Sequence, residues 1–275
     1  MLAGVVGFVT QRHSARQPHP TQVVLPFIGI QYPSGVAVDD NGNSYITDYD
    51  HQRVLKLAPG PSSLQTELPF TGLGIAFDVT VDNTGAVYVT EYDRDRVLKL
   101  TVGSSAPTEL PFTGIDGPAG IAVDSSGTVY VTDYNGNRVL KLAVGSSFQT
   151  ELAFTGLDGP RGIAVDKSGS VYVTDHKANR VLKLAAGSYT QTVLPFTDLD
   201  MPWSVAVDSS DGVYVTDTKN NRVLKLAGNA TAARNSQTVM PFTGLNEPRG
   251  VAVDNAGNVY VADAKNDRVL KLASG

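Results

Sequence analysis

One string recurs six times with small variations and dictates what this chain can fold into: Ala-Val-Asp, then Val-Tyr-Val-Thr-Asp, then Arg-Val-Leu-Lys-Leu. Its anchor aspartates are Asp39, Asp82, Asp124, Asp166, Asp208 and Asp254, spaced by 43 residues and then by 42 until the last interval of 46, which carries an insertion of four residues. Each copy holds three short runs of alternating apolar residues, as at 120–124, 128–133 and 138–142, and a fourth at 150–154. A period of two over some five residues marks a strand and fails the helical test. Turn chemistry agrees: residues 125–127 read Ser-Ser-Gly, and the Asp124 carboxylate can bond the backbone of that turn.

Four strands in a repeat of about 42 residues is the arithmetic of a propeller blade. Neighbouring blades cover both faces of each sheet, which explains why the runs are apolar on both sides. The middle residue of the first strand is small in every copy (Ala37, Thr80, Ala122, Ala164, Ala206, Ala252), whereas the third strand carries Leu55, Leu98, Leu140, Leu182, Leu224 and Leu270. The first strand is therefore predicted to lie innermost, where room is scarce. The chain finishes after a third strand yet begins with an orphan fourth, residues 21–27, one substitution away from residues 190–196. These ends are predicted to share a blade, sealing residues 21–275 as an all-β, six-bladed propeller of four-stranded antiparallel blades.

Composition narrows the function. Without cysteine there is no disulfide, thiolate metal site or cysteine nucleophile. The 22 basic residues against 27 acidic ones give a net charge of −5, and 12 of the basic residues belong to the repeated third strand. That balance argues against nucleic acid as a partner. His13 and His19 lie outside the repeats, and His51 and His176 occupy different loop offsets, so no matched metal-ligand set is seen and no cofactor is expected. Residues 1–10 are apolar but too few to span a bilayer, and 11–20 read as a linker. Segment 1–20 reads either as a disordered start or as the remnant of a membrane anchor, the one route by which a membrane becomes a partner.

These residues resemble the NHL-repeat six-bladed propellers, whose signature joins Pro-x-Gly-[Val/Ile]-Ala-Val-Asp, Val-Tyr-Val-x-Asp and Asn-Arg-Val. The resemblance covers residues 21–275. The wording at 110–114 (Leu-Pro-Phe-Thr-Gly) and 180–185 (Arg-Val-Leu-Lys-Leu-Ala) is similar to the extracytoplasmic sensor domain of mycobacterial PknD-type receptor Ser/Thr kinases. The resemblance implies a monomeric, extracytoplasmic sensor or adhesion module that binds an extracellular ligand or protein. No kinase motif is present, so the sequence assigns no catalysis to this chain. Two other readings stay open: a secreted propeller hydrolase or lyase with a metal in its channel, and an RNA-binding propeller using Arg94, Arg161, Lys177, Lys219, Arg249 and Lys265.

Recognition is expected where the copies differ. The pairs Asp48/Arg53, Glu91/Arg96, Asp133/Arg138, Asp175/Arg180, Asp217/Arg222 and Asp263/Arg268 flank every second hairpin and read as scaffold. Two variable sets share the face onto which these hairpins open. The lead-in to the first strand offers Phe77, Arg161, Trp203 and Arg249, and the hairpin loops offer Tyr49, Tyr92, Tyr134 and His176. These eight are the candidate partner-binding residues, since rigid amphipathic rings add contact area at low entropy cost, and Trp203 is foremost. Asp158, Asp200 and Glu247 lie in the same lead-in loops and are candidates to neutralise the two arginines.

Overall fold

The computed structural model describes residues 21–60, 63–228 and 237–274; the proposed anchor remnant and linker at 1–20 lie outside them. The described residues form six four-stranded antiparallel sheets, and in blades one to five the strands are hydrogen-bonded in chain order. Blade one comprises Pro33–Val38, Ser44–Asp48, Arg53–Leu57 and Gln65–Glu67. The sixth blade takes Pro248–Val253, Val259–Asp263 and Arg268–Leu272 from the end of the chain and Gln22–Val24 from its beginning. Gln22 stands opposite Leu272 and Val24 opposite Leu270, so the ring closes as the repeat count requires.

The first strands of successive blades touch one another around the axis, and the small residues at their middles allow that approach. The core is six separate interblade layers rather than one mass. Ala37, Tyr45 and Val54 of blade one pack on Val79, Val89 and Leu98 of blade two, while Val36, Ile46 and Leu55 pack back on Tyr260 and Val269 of blade six. Alternation along each strand thus feeds two different interfaces.

The repeated polar residues hold this frame. Asp124 accepts the backbone N–H groups of Ser126 and Thr128, each at 2.9 Å, and the Tyr130 hydroxyl at 3.0 Å. Burial alone would raise its carboxyl, but these donors, with the Ser126 hydroxyl, hold it below the usual range. The hairpin ion pairs form in all six blades, with Arg138 Nε at 2.7 Å from Asp133 and Arg222 Nε at 2.6 Å from Asp217. Each acid is fully enclosed. Its second oxygen accepts a backbone N–H from the lead-in loop, as Asp158 N–H donates to Asp175 at 2.7 Å, so the pairs set the height at which that loop enters the blade.

Candidate functional site

Each first strand carries a β-bulge at its start. In blade four Pro160 pairs with Asp175 but Ile163 pairs with Val173, so Arg161 and Gly162 together oppose Thr174. The extra residue bends the strand and turns the side chain at the first bulge position toward the axis. That position holds Ser34, Phe77, Ala119, Arg161, Trp203 or Arg249.

A threonine fixes the bulge from two sides. Thr174 Oγ1 accepts the Gly162 N–H at 2.7 Å and donates to the Trp203 carbonyl of the next blade at 2.9 Å. Thr47, Thr90, Thr132 and Thr216 do the same in their blades, so each mouth residue from Phe77 to Arg249 is pinned by the blade before it. Blade six has Ala262 in this place. The second bulge position is glycine where backbones meet: a Cβ on Gly120 would stand 2.2 Å from the Arg161 carbonyl oxygen.

All eight sequence-predicted residues come together at one end of the channel. Phe77 stacks on Trp203 with centroids 5.4 Å apart and an interplanar angle of 10°. Tyr92 stacks on Phe77 at 5.3 Å, and edge contacts link Tyr49 to Phe77, Tyr92 to Tyr134, and His176 to Trp203. The two guanidinium groups lie against these rings. Arg161 Cζ is 3.5 Å from the Trp203 centroid and 5.0 Å from that of Tyr134; Arg249 Cζ is 4.1 Å from Trp203 and 5.5 Å from Tyr49.

The electrostatics of this mouth are unusual. Among the described residues no carboxylate lies within 4.0 Å of Arg161 or Arg249. Of the acids expected to neutralise them, Asp158 pairs with Lys177 at 3.7 Å, Asp200 pairs with neither arginine, and Glu247 pairs with Lys265 at 2.8 Å and Lys219 at 3.4 Å while attracting Arg249 from farther off. Nε and Nη1 of both arginines are shut off from solvent and donate to nothing. Burial, together with the charge of Arg249, lowers Arg161 to about 10, and burial likewise lowers Arg249. His176 is 2% exposed, and its Nδ1 meets the Pro202 carbonyl at 3.0 Å, which makes Nδ1 the protonated nitrogen and leaves the lone pair on Nε2. Burial and the nearby Arg161 push it down to about 4, so the imidazole is neutral at physiological pH.

Two residues of the site escaped the sequence reading, and both stand where sister blades have glycine. Tyr32 holds a left-handed backbone (φ 55°) at the position of Gly117 and Gly159. Its ring lies 4.0 Å from Arg249 Cζ, and its hydroxyl donates to Glu247 at 3.0 Å. Asp78 occupies the second bulge position, matching Gly35, Gly120, Gly162 and Gly250. It accepts the N–H groups of Val79 at 2.9 Å and Ile121 at 3.1 Å, and burial raises its carboxyl to about 7.

Beneath the rings, Phe77, Asp78, Arg161, Trp203 and Ser204 border a void of about 10 Å³, roughly the room one water needs. Below it the channel, about 190 Å³, is walled by the valines and alanines of the first strands, with Asp78 as the one charged residue lining it among the described residues. No three His, Asp or Glu side chains converge among the described residues. This donor set does not fit a metal held in the channel.

A closed six-bladed propeller with its variable side chains gathered at one mouth of the channel is the class that fold and site define. Residues 31–272 match the model of the virginiamycin B lyase family, and the chain belongs to that family. No curated protein matches it. Among solved structures, a streptogramin B lyase is 18% identical with a TM-score of 0.69, the match covering 92% of this chain and 97% of that one. A catalytically inactive histidine-to-alanine variant of virginiamycin B lyase from Staphylococcus aureus with quinupristin is 17% identical at 0.70, covering 94% and 100%. A gluconolactonase from Xanthomonas campestris is 14% identical at 0.75, covering 92% and 89%. Membership of a lyase family corrects the expectation of a non-catalytic module. Of the resemblance to kinase sensor propellers, the propeller fold is what stands.

Proposed function

We propose that this protein is a propeller enzyme of the lyase or hydrolase type that cleaves a cyclic ester at the mouth of its channel. A lyase breaks a bond by removing a proton and expelling a leaving group, which calls for a basic atom and a stabiliser for the charge that develops on oxygen. The observation that carries the reading is the pair of guanidinium groups with unused N–H donors beside a neutral histidine. Arg161 and Arg249 are the groups to polarise the ester carbonyl and hold its developing charge, in surroundings where rings exclude water and strengthen that attraction. His176 Nε2 is the candidate base, and Trp203 with the loop tyrosines is the platform on which the substrate lies. No step is routed through a metal.

The test uses the purified chain with virginiamycin B, quinupristin and gluconolactone, followed by mass spectrometry. Elimination opens a cyclic ester without change of mass, whereas hydrolysis adds one water. Turnover of a cyclic ester is expected, and Arg161→Gln should lower kcat/KM by about 10²-fold, as loss of one oxyanion donor does. Absence of turnover on all three, or full activity in both Arg161→Gln and Arg249→Gln, would overturn the reading.

A further inference from the structure

Burying one guanidinium without a partner is costly, and burying two side by side is worse, because each raises the cost of charging the other. The two arginines of the mouth lie side by side with no carboxylate within 4.0 Å among the described residues, their polar neighbours being Tyr134 for Arg161 and Tyr32, with Glu247 farther off, for Arg249, in a protein of net charge −5. Elsewhere among the described residues, the six hairpin arginines are each matched to an enclosed carboxylate. Stacking on Trp203, Phe77 and Tyr32 offsets part of the cost but leaves the Nε and Nη1 hydrogens of both groups unused. The missing partner is an acceptor with negative charge.

We infer that the mouth of the channel is an anion site for a carboxylate borne on a flat, conjugated ring. The unused Nε–H and Nη1–H of each guanidinium point from different edges, so a carboxylate, with two charged oxygens and several lone pairs, can meet donors of both arginines at once. The remaining walls are ring faces and edges, which suit a slab-shaped ligand and offer little to a strongly hydrated tetrahedral anion such as phosphate. Rings enclose the unused donors, so uptake of the anion parts the half-buried tyrosines on their hairpin loops, Tyr92 and Tyr134 foremost. The inference rests on the mouth being the working site and deepens the reading above, since cleavage of an ester leaves a carboxylate. It does not require turnover.

Trp203 is the protein's one tryptophan and lies against both arginines, so its fluorescence reports the site directly. The full chain is titrated at pH 7 and constant ionic strength with benzoate, with benzamide as the neutral twin of the same shape, and with inorganic phosphate. Benzoate should change the emission saturably, with benzamide and phosphate at least tenfold weaker. Arg161→Gln and Arg249→Gln should each weaken benzoate at least tenfold while leaving benzamide unchanged. Should either glutamine variant fail to fold, Arg161→Lys and Arg249→Lys keep the charge and lose the planar set of N–H donors, and weaker benzoate binding is again expected. Equal responses to benzoate and benzamide, a phosphate response as strong as that to benzoate, no saturable response to benzoate, or unaltered binding in folded variants would each overturn the anion site. Benzoate binding without cleavage of any ester would sink only the enzymatic reading; cleavage without benzoate binding would sink only this one.

Discussion

Replacing Asp78 by asparagine removes the one charged group that lines the channel among the described residues, while keeping nearly the same shape. The wild-type carboxyl is enclosed by the ring of blades and raised from 3.8 to about 7 by burial, against the pull of two backbone N–H groups. A shift of about three pKa units corresponds to about 4 kcal/mol, and channel water reaching the carboxylate screens part of it, leaving about 2–4 kcal/mol. The folded protein holds the proton more tightly than the unfolded chain. The stabilising contribution of protonated Asp78 is therefore complete below pH 3.8 and is lost as pH rises toward 7. In Asp78→Asn nothing titrates there, so the stability of the variant relative to wild type should climb by about 2–4 kcal/mol between pH 4 and pH 8. Urea unfolding of both proteins at several pH values measures this difference, in which all other titrating groups cancel. A difference that stays flat to within about 1 kcal/mol across that window would refute a buried, proton-holding Asp78.

The other consequences concern the frame and the mouth. Ala262→Thr restores the hydroxyl that five blades use to tie neighbouring bulges, here between Gly250 and Ser34, and should raise stability by about 1 kcal/mol, read from the urea midpoint. Arg180→Ala leaves the enclosed Asp175 carboxylate without its cation and should cost about 2–3 kcal/mol, less than a wholly buried pair because the guanidinium is 31% exposed; thermal unfolding at neutral pH checks it. The His176 ring, held neutral with a pKa of about 4, should show no shift of its imidazole NMR signals between pH 5.5 and 8, whereas a midpoint near 6.5 would place it in water.

The blade count, the seam, the innermost strand and the scaffold role of the Asp and Arg pairs were all legible because the repeat makes every strand visible six times over. The same averaging located Trp203, Arg161 and the tyrosines as departures from it. Asp78 and Tyr32 were missed for a physical reason. Both replace glycine, and the glycines differ in meaning: one set exists because backbones approach within a van der Waals radius at the axis, the other because the chain turns through a left-handed conformation. Neither demand is visible until the bulge and the turn are seen, so a side chain at such a place reads as ordinary variation. Of the neutralisation expected of the lead-in acids, only the attraction of Glu247 for Arg249 is seen, because sequence proximity does not say which cation a flexible acid reaches: Asp158 meets Lys177, and Glu247 meets Lys219 and Lys265.

The seam formed by Gln22–Val24 against Arg268–Leu272 ties the chemistry of the mouth to the closure of the ring. Arg249 comes from the sixth blade, and the tyrosines beneath it, Tyr32 and Tyr49, come from the first stretch of the propeller, two hundred or more positions earlier in the chain. Half of the cationic pocket is thus assembled only by the handshake of the two ends, and a propeller left ajar at that join would keep five sound blades and lose its working face.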